Sequence, residues 1–184
     1  MLILDTEPEL RFDVLTKYAG KLFDVPIALV SLVDAERQWF KSRHGLDATE
    51  TPRDISFCGH AILQAEPLVI NDTLNDQRFF DNPLVTGGPK IRFYAGAPLH
   101  MKNGMRVGTF CIIDSKPREL SDWELDHLKD LAKVAAEELQ GINASNAFLN
   151  SNACAQFCTL GHLEQKCPYQ KPENGCLQCT GSKG

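Results

Sequence analysis

No stretch of this sequence approaches the roughly 20 consecutive apolar residues that a membrane-spanning helix needs. The N-terminus, Met1-Leu2-Ile3-Leu4-Asp5, has no basic leader and its apolar run is short, so no secretory signal is read there. Positive charge is scarce as well. With 19 Lys and Arg against 24 Asp and Glu the formal net charge is −5, which argues against a general phosphate-gripping face for nucleic acid. No Gly-rich fingerprint lies between a strand and a helix, and neither a nucleophile elbow nor a paired-carboxylate motif is found. Together these absences predict a cytoplasmic protein with neither membrane nor nucleic-acid partners. Its seven cysteines are then expected to be mostly reduced and open to metals.

What is present reads as one domain and an appendage. The 184 residues are 43% apolar and 23% charged, an ordinary globular balance. A body of roughly 140 residues buries about two thirds of its unfolded surface, enough for a core. Past residue 142 a run of Asn and Ser marks a linker over 143–152, and a Cys-rich tail fills 153–184.

Within the body, periodicity alternates between helix and strand. Thr6 and Glu9 have capping-box spacing, and Leu10, Val14, Tyr18 and Leu22 recur every fourth residue, predicting a helix with that stripe buried. Residues 27–33 and 38–43 read as a strand pair, and 67–70 as a third strand. Ser56 caps a short helix over 56–64. Residues 92–101 and 105–113 form a hairpin through Asn103-Gly104. Ser121 and Glu124 open a last long helix that Gly141 is expected to end. Tight hairpins demand antiparallel pairing, so the predicted class is α+β, with helices over one face and the long 72–91 loop over the other.

Four stretches carry a family resemblance: LDTEPELRFDVLTKYAGKLFDVPIALVSLVDAERQWFKSRHGL, TPRDISFCGHAIL, PLVINDTLNDQRFFDNPLVTGGPKIRFYAGAPL and GTFCIIDSKPRELSDWE. They resemble the GAF family, in particular the GAF domains ahead of diguanylate cyclases and sensor histidine kinases, over about residues 3–140. The resemblance implies an antiparallel sheet of five to six strands flanked by helices. It also implies a small-molecule pocket under the 72–91 loop, dimerisation through the terminal helices, and a signalling partner. The reading for residues 1–142 is therefore a ligand-sensing regulatory GAF domain, not an enzyme, with the ligand itself unidentified.

The candidate ligand-binding residues are Trp39, Phe57, Cys58, His60, Asp76, Phe79, Arg92 and Tyr94. Cys58 and His60 lie two apart, so in a helix their side chains diverge by about 200° and do not converge on a metal. Cys58 equally suits a small buried hydrophobe, and His60 a structural hydrogen bond. Arg92 can grip an anionic ligand group or simply pair with Asp72, Asp76 or Asp114. Trp39, Phe40, Phe79 and Phe80 can stack on a planar ligand or fill core. Phe93 and Tyr94 point to opposite faces, so at most one lines a pocket.

Some members of the family reduce free methionine sulfoxide with cysteines around the pocket, and Cys58-Gly59 resembles one such position. A thiol-dependent reductase of that type is therefore the alternative function. The 72–91 loop holds no cysteine and Cys111 reads as core, which count against it. The same loop lacks the Cys-His pair of bilin-binding members, which disfavours a covalent tetrapyrrole.

In the tail, Cys154, Cys158, Cys176 and Cys179 have three, seventeen and two intervening residues, one residue off a two-pair zinc pattern. Four thiolates so placed suit tetrahedral zinc, with Cys167 or His162 as substitutes. The 34 residues from 151 to the end, too few for their own core, also need such a staple or a docking surface.

Overall fold

The computed structural model describes residues 3–159, with side chains described for residues 3–141. The chain divides into two units, Met1–Gln140 and Gly141–Gly184. The first unit is built on one six-stranded sheet, antiparallel throughout, in the order β3-β2-β1-β6-β5-β4. The strands are β1 (Ile27–Val33), β2 (Arg37–His44), β3 (Glu50–Pro52), β4 (Leu68–Ile70), β5 (Phe93–His100) and β6 (Arg106–Asp114). Five of them follow the predicted runs. The short edge strand β3 has no apolar alternation to announce it, and it exists because its backbone pairs with Arg37, Gln38 and Trp39.

The period-2 pattern sorts the central strands. Ala28, Val30 and Leu32 of β1 turn to one face, where Phe93, Ala95 and Phe110 of the neighbouring strands are also buried. Helix α1 (Leu10–Leu22) packs against β1 and β2. Helix α4 (Asp122–Thr159) runs beside β5, where Ala132 and Ala136 face Ala97 and Pro98 across a groove. The opposite face carries Ile27, Leu29, Phe40, Cys111 and Ile113. It is covered by α2 (Phe57–Ala61), α3 (Pro83–Thr86) and the connections around them.

Local chemistry explains most boundaries. Ser56 Oγ accepts from Gly59 N at the start of α2. Ser121 and Glu124 form the reciprocal capping box at α4. In the β5–β6 turn Gly104 alone takes a positive φ, +82°, and its N–H bonds Met101 O. This is a type I turn closed by a left-handed glycine, not the mirror-image turn that needs positive φ at both central residues.

Three expectations are corrected. Thr6 and Glu9 do not cap α1: both are held by Lys41, and the helix begins at Leu10. The stripe Leu10, Val14 and Tyr18 is exposed at 78%, 55% and 54%, whereas Phe12, Thr16, Ala19 and Gly20 are buried. The two stripes have the same helical period, so periodicity alone does not say which one meets the sheet. Lastly, α4 does not end at Gly141 but continues to Thr159. A lone glycine costs a helix only about 1 kcal/mol relative to alanine, no proline follows it there, and Gly141 does not take the left-handed conformation of a helix cap.

Candidate functional site

Beneath α2 and α3 lies a cavity of about 250 Å³. Its floor is the sheet: Ile27 and Leu29 from β1, Gln38 and Phe40 from β2, Tyr94 from β5 and Ile113 from β6. The register explains the convergence, because Ile27 pairs with Ile113 and Ile113 with Tyr94, so successive strands aim the same parity upward. The roof is Phe57 and Cys58 from α2 with Leu84, Pro89 and Ile91 from the long loop, and Leu46, Ala48 and Thr51 form one side. Among the described residues no Asp, Glu, Lys, Arg or His lines it.

Polar groups are few. Gln38 Oε1 is occupied by a hydrogen bond from Ser56 Oγ. Thr51 Oγ1 is buried without a hydrogen-bond partner among the described residues. Leaving a buried hydroxyl unpaired costs about 1–3 kcal/mol, a deficit that a ligand acceptor or donor would remove.

At the inner end, Cys58 Sγ accepts hydrogen bonds from Thr109 Oγ1 at 3.0 Å and Tyr94 Oη at 3.3 Å, and lies 3.8 Å from Cys111 Sγ. Burial opposes a Cys58 thiolate, but these neighbours outweigh it and hold the thiol below its ordinary value. Cys111 is pushed up by Cys58 and by its own burial. Tyr94 is likewise pushed up, first by burial and then by the charge that Cys58 carries when ionised. The phenol reaches Cys58 by lying across Gly96, where an added Cβ would come within 2.1 Å of Tyr94 Oη.

Of the predicted site residues, Phe57, Cys58 and Tyr94 are brought together here. The other five stand away from the cavity. Trp39 has the wrong strand parity and turns its ring to the opposite side of the sheet from Phe40. His60 is exposed, on the far side of α2 as its spacing from Cys58 requires, and meets Phe79 edge-on at 4.9 Å. Phe79 is fully buried and stacks on Phe57 with centroids 4.3 Å apart, supporting the roof from behind. Asp76 caps its own turn through Arg78 N and pairs with the Arg78 guanidinium at 2.6 Å. Arg92 makes a two-pronged bond to Asp72 at 2.9 and 2.8 Å, which lowers the Asp72 pKa. The residues missed from the sequence are Gln38 and Thr109, whose strand parity was the available signal, and Thr51 on the unannounced strand β3, which offered none. The side chains of Cys154, Cys158, Cys176 and Cys179, like those of His162 and Cys167, lie outside the described residues.

A model of the GAF domain matches residues 7–139. A cyclic di-GMP phosphodiesterase from Pseudomonas aeruginosa is 40% identical over 136 residues, 73% of this chain. The chain spans only 23% of that relative's length. The GAF domain of a phosphoenolpyruvate-protein phosphotransferase from Coxiella burnetii superposes with a TM-score of 0.63 at 14% identity, covering 78% of this chain and 89% of that one. A free methionine-R-sulfoxide reductase from Neisseria meningitidis gives 0.61 at 16% identity, covering 78% and 85%. Both structures share the fold. The expectation that this chain is not an enzyme is corrected by the first relative, which is named as one, although the match covers only part of it.

Proposed function

From the premise that the chain belongs to the GAF domain family, we propose that it senses a small, uncharged, largely apolar molecule and thereby controls cyclic di-GMP turnover. The observation that carries the ligand class is the cavity: about 250 Å³, with no charged lining residue and one unpartnered hydroxyl, at Thr51, among the described residues. Apolar walls with one or two orienting polar groups are the usual form of a small-molecule site. Cyclic di-GMP itself, a dinucleotide with two phosphates, has no cation here to neutralise it and too little room. Free methionine sulfoxide, whose amino and carboxylate groups are both charged at neutral pH, meets the same absence, which weighs against the reductase alternative. The link to cyclic di-GMP rests on the phosphodiesterase relative.

Ala48 is exposed at the cavity mouth, so Ala48→Trp is tolerated while its indole covers the entrance. The ligand at about 100 times its Kd is expected to stabilise the natural chain by about 2.7 kcal/mol, read by thermal unfolding, and to leave Ala48→Trp unmoved. In cells expressing the chain, adding the ligand is expected to shift cyclic di-GMP levels, with no shift in cells expressing Ala48→Trp. Equal responses from the two proteins would sink the proposal.

The exposed stripe Leu10, Val14 and Tyr18 supports a homodimer through the terminal helices, since three apolar groups in line along one helix face leave it unpartnered. Val14→Glu is expected to convert the dimer to monomer in analytical ultracentrifugation with the unfolding temperature of the monomer unaltered. A natural chain that sediments as a monomer at high concentration would refute it. For the tail, zinc bound by Cys154, Cys158, Cys176 and Cys179 is proposed from their spacing alone. Elemental analysis should return about one zinc per chain, and metal-free protein with all tail thiols reactive would remove the proposal.

A further inference from the structure

Two thiols lie together at the inner end of the cavity. Cys58, on α2, forms part of the cavity wall, and Cys111, on β6, lies behind it, outside the lining. Both are almost completely buried, at 1% and 0% exposure. Their sulfurs are 3.8 Å apart. A disulfide needs about 2.05 Å, so the sulfurs must approach by a little under two ångströms. The helix that carries Cys58 is only five residues long and is followed by the turn at Ile62–Gln64 rather than by another long element, so this closure does not require the sheet to move. Two hydroxyls, from Thr109 and Tyr94, donate to Cys58 Sγ, an arrangement that favours its thiolate over the neutral thiol.

We propose that Cys58 and Cys111 form a hydroperoxide-reactive dithiol, with the cavity as the entry path, Cys58 as the attacking sulfur and Cys111 as the resolving one. In the first step Cys58 sulfur attacks the terminal peroxide oxygen: an S–O bond forms, the O–O bond breaks, and the departing oxygen takes the thiol proton and leaves as an alcohol or water. Cys58 is then a sulfenic acid. In the second step Cys111 sulfur attacks that sulfur: the S–S bond forms, the S–O bond breaks, and the hydroxide leaves as water with the Cys111 proton. Two thiols lose two electrons and one hydroperoxide gains them. The apolar walls admit hydrogen peroxide and small alkyl hydroperoxides while excluding charged oxidants. Because α2 carries Phe57 as well as Cys58, the new bond draws the roof toward the sheet and reshapes the cavity. This inference stands apart from the ligand class and from cyclic di-GMP.

The test uses the full natural chain, reduced, freed of excess reductant and treated with stoichiometric hydrogen peroxide or tert-butyl hydroperoxide. Trypsin releases Cys58 as the sole cysteine of residues 54–78 and Cys111 as the sole cysteine of 107–118, so the tail cysteines do not confuse the assignment. The expected result is those two peptides joined and lighter by two hydrogen atoms, reverting on treatment with dithiothreitol. In Cys111→Ala, Cys58 is expected to stop at the sulfenic acid and to be trapped by a 1,3-dione. Thr109→Val is expected to slow oxidation of Cys58 several-fold while leaving the unfolding midpoint of the reduced protein within a few degrees. The proposal is overturned if the natural chain yields Cys58 joined to a tail cysteine, or if the tail oxidises while Cys58 and Cys111 both remain free thiols.

Discussion

Replacing Phe79 by alanine is expected to lower stability by about 4 kcal/mol, among the larger effects of any single truncation in this domain. The ring is completely buried, stacks on Phe57 at 4.3 Å and receives the edge of His60. It lies outside the cavity lining, so its removal opens a new void behind the roof and does not merely enlarge the ligand space. The loss combines the transfer free energy of a buried aromatic ring with the cavity left behind. Over a chain of this length it corresponds to a fall of roughly 8–16 °C in the unfolding midpoint. The neighbouring Phe80 is 50% exposed, and Phe80→Ala is expected to cost well under half as much. Chemical denaturation of the two variants decides the matter: equal losses would mean that Phe79 does not support the roof. Ligand stabilisation should also weaken in Phe79→Ala alone, since Phe57 lines the cavity and loses its backing.

Glu9→Ala is expected to destabilise the fold by roughly 3 kcal/mol, although Glu9 lies outside regular structure. The reason is Lys41. Its side chain is fully buried on β2, paired with Glu9 Oε1 at 2.6 Å and hydrogen-bonded to Thr6 Oγ1 and Glu7 O, both at 2.8 Å. Without the carboxylate, a buried ammonium keeps only neutral acceptors. Those two acceptors place the estimate at the low end of the range for broken buried pairs. Replacing both residues, as Glu9→Ala with Lys41→Met, should cost less than the sum of the single changes, because the orphaned charge is then gone.

The same pair gives a pH signature. Partial burial works against the Glu9 carboxylate, but hydrogen bonds and charge from Lys41 and Arg11 outweigh it and hold its pKa below 4.5. A carboxyl group with a folded pKa below its unfolded one stabilises above the unfolded value. That contribution is lost as the pH falls from about 4.5 through the folded pKa. Acid unfolding of Glu9→Ala should therefore be shallower than that of the natural chain below about pH 4.5. Parallel curves would assign the acid sensitivity to other carboxylates.

Much of the architecture was legible because it is written in short-range chemistry. Short apolar runs between turns placed five strands, Asn103-Gly104 placed a hairpin, and Ser56 and Ser121 placed two helix starts, each through groups within a few residues of one another. The stretches shared with GAF domains supplied the rest of the fold, and the family match covers residues 7–139. What failed did so where a distant residue intervened. Lys41, over thirty residues away in sequence, takes the carboxylate and hydroxyl that the capping-box spacing had assigned to α1. Arg92 and Asp76 looked like ligand contacts until Asp72 and Arg78 claimed them. Trp39 and Phe40 are adjacent and both aromatic, and only strand register decides that Phe40 faces the cavity.

The sequence by itself therefore determined the element types, the antiparallel pairing and the family, since these follow from local propensity and from motifs carried in order along the chain. Tertiary structure alone decided which stripe of α1 is buried, that the cavity carries no charge, and that Cys58 meets Cys111. Those outcomes depend on which surfaces are brought face to face, and residues 53 positions apart have no local signal that they will touch.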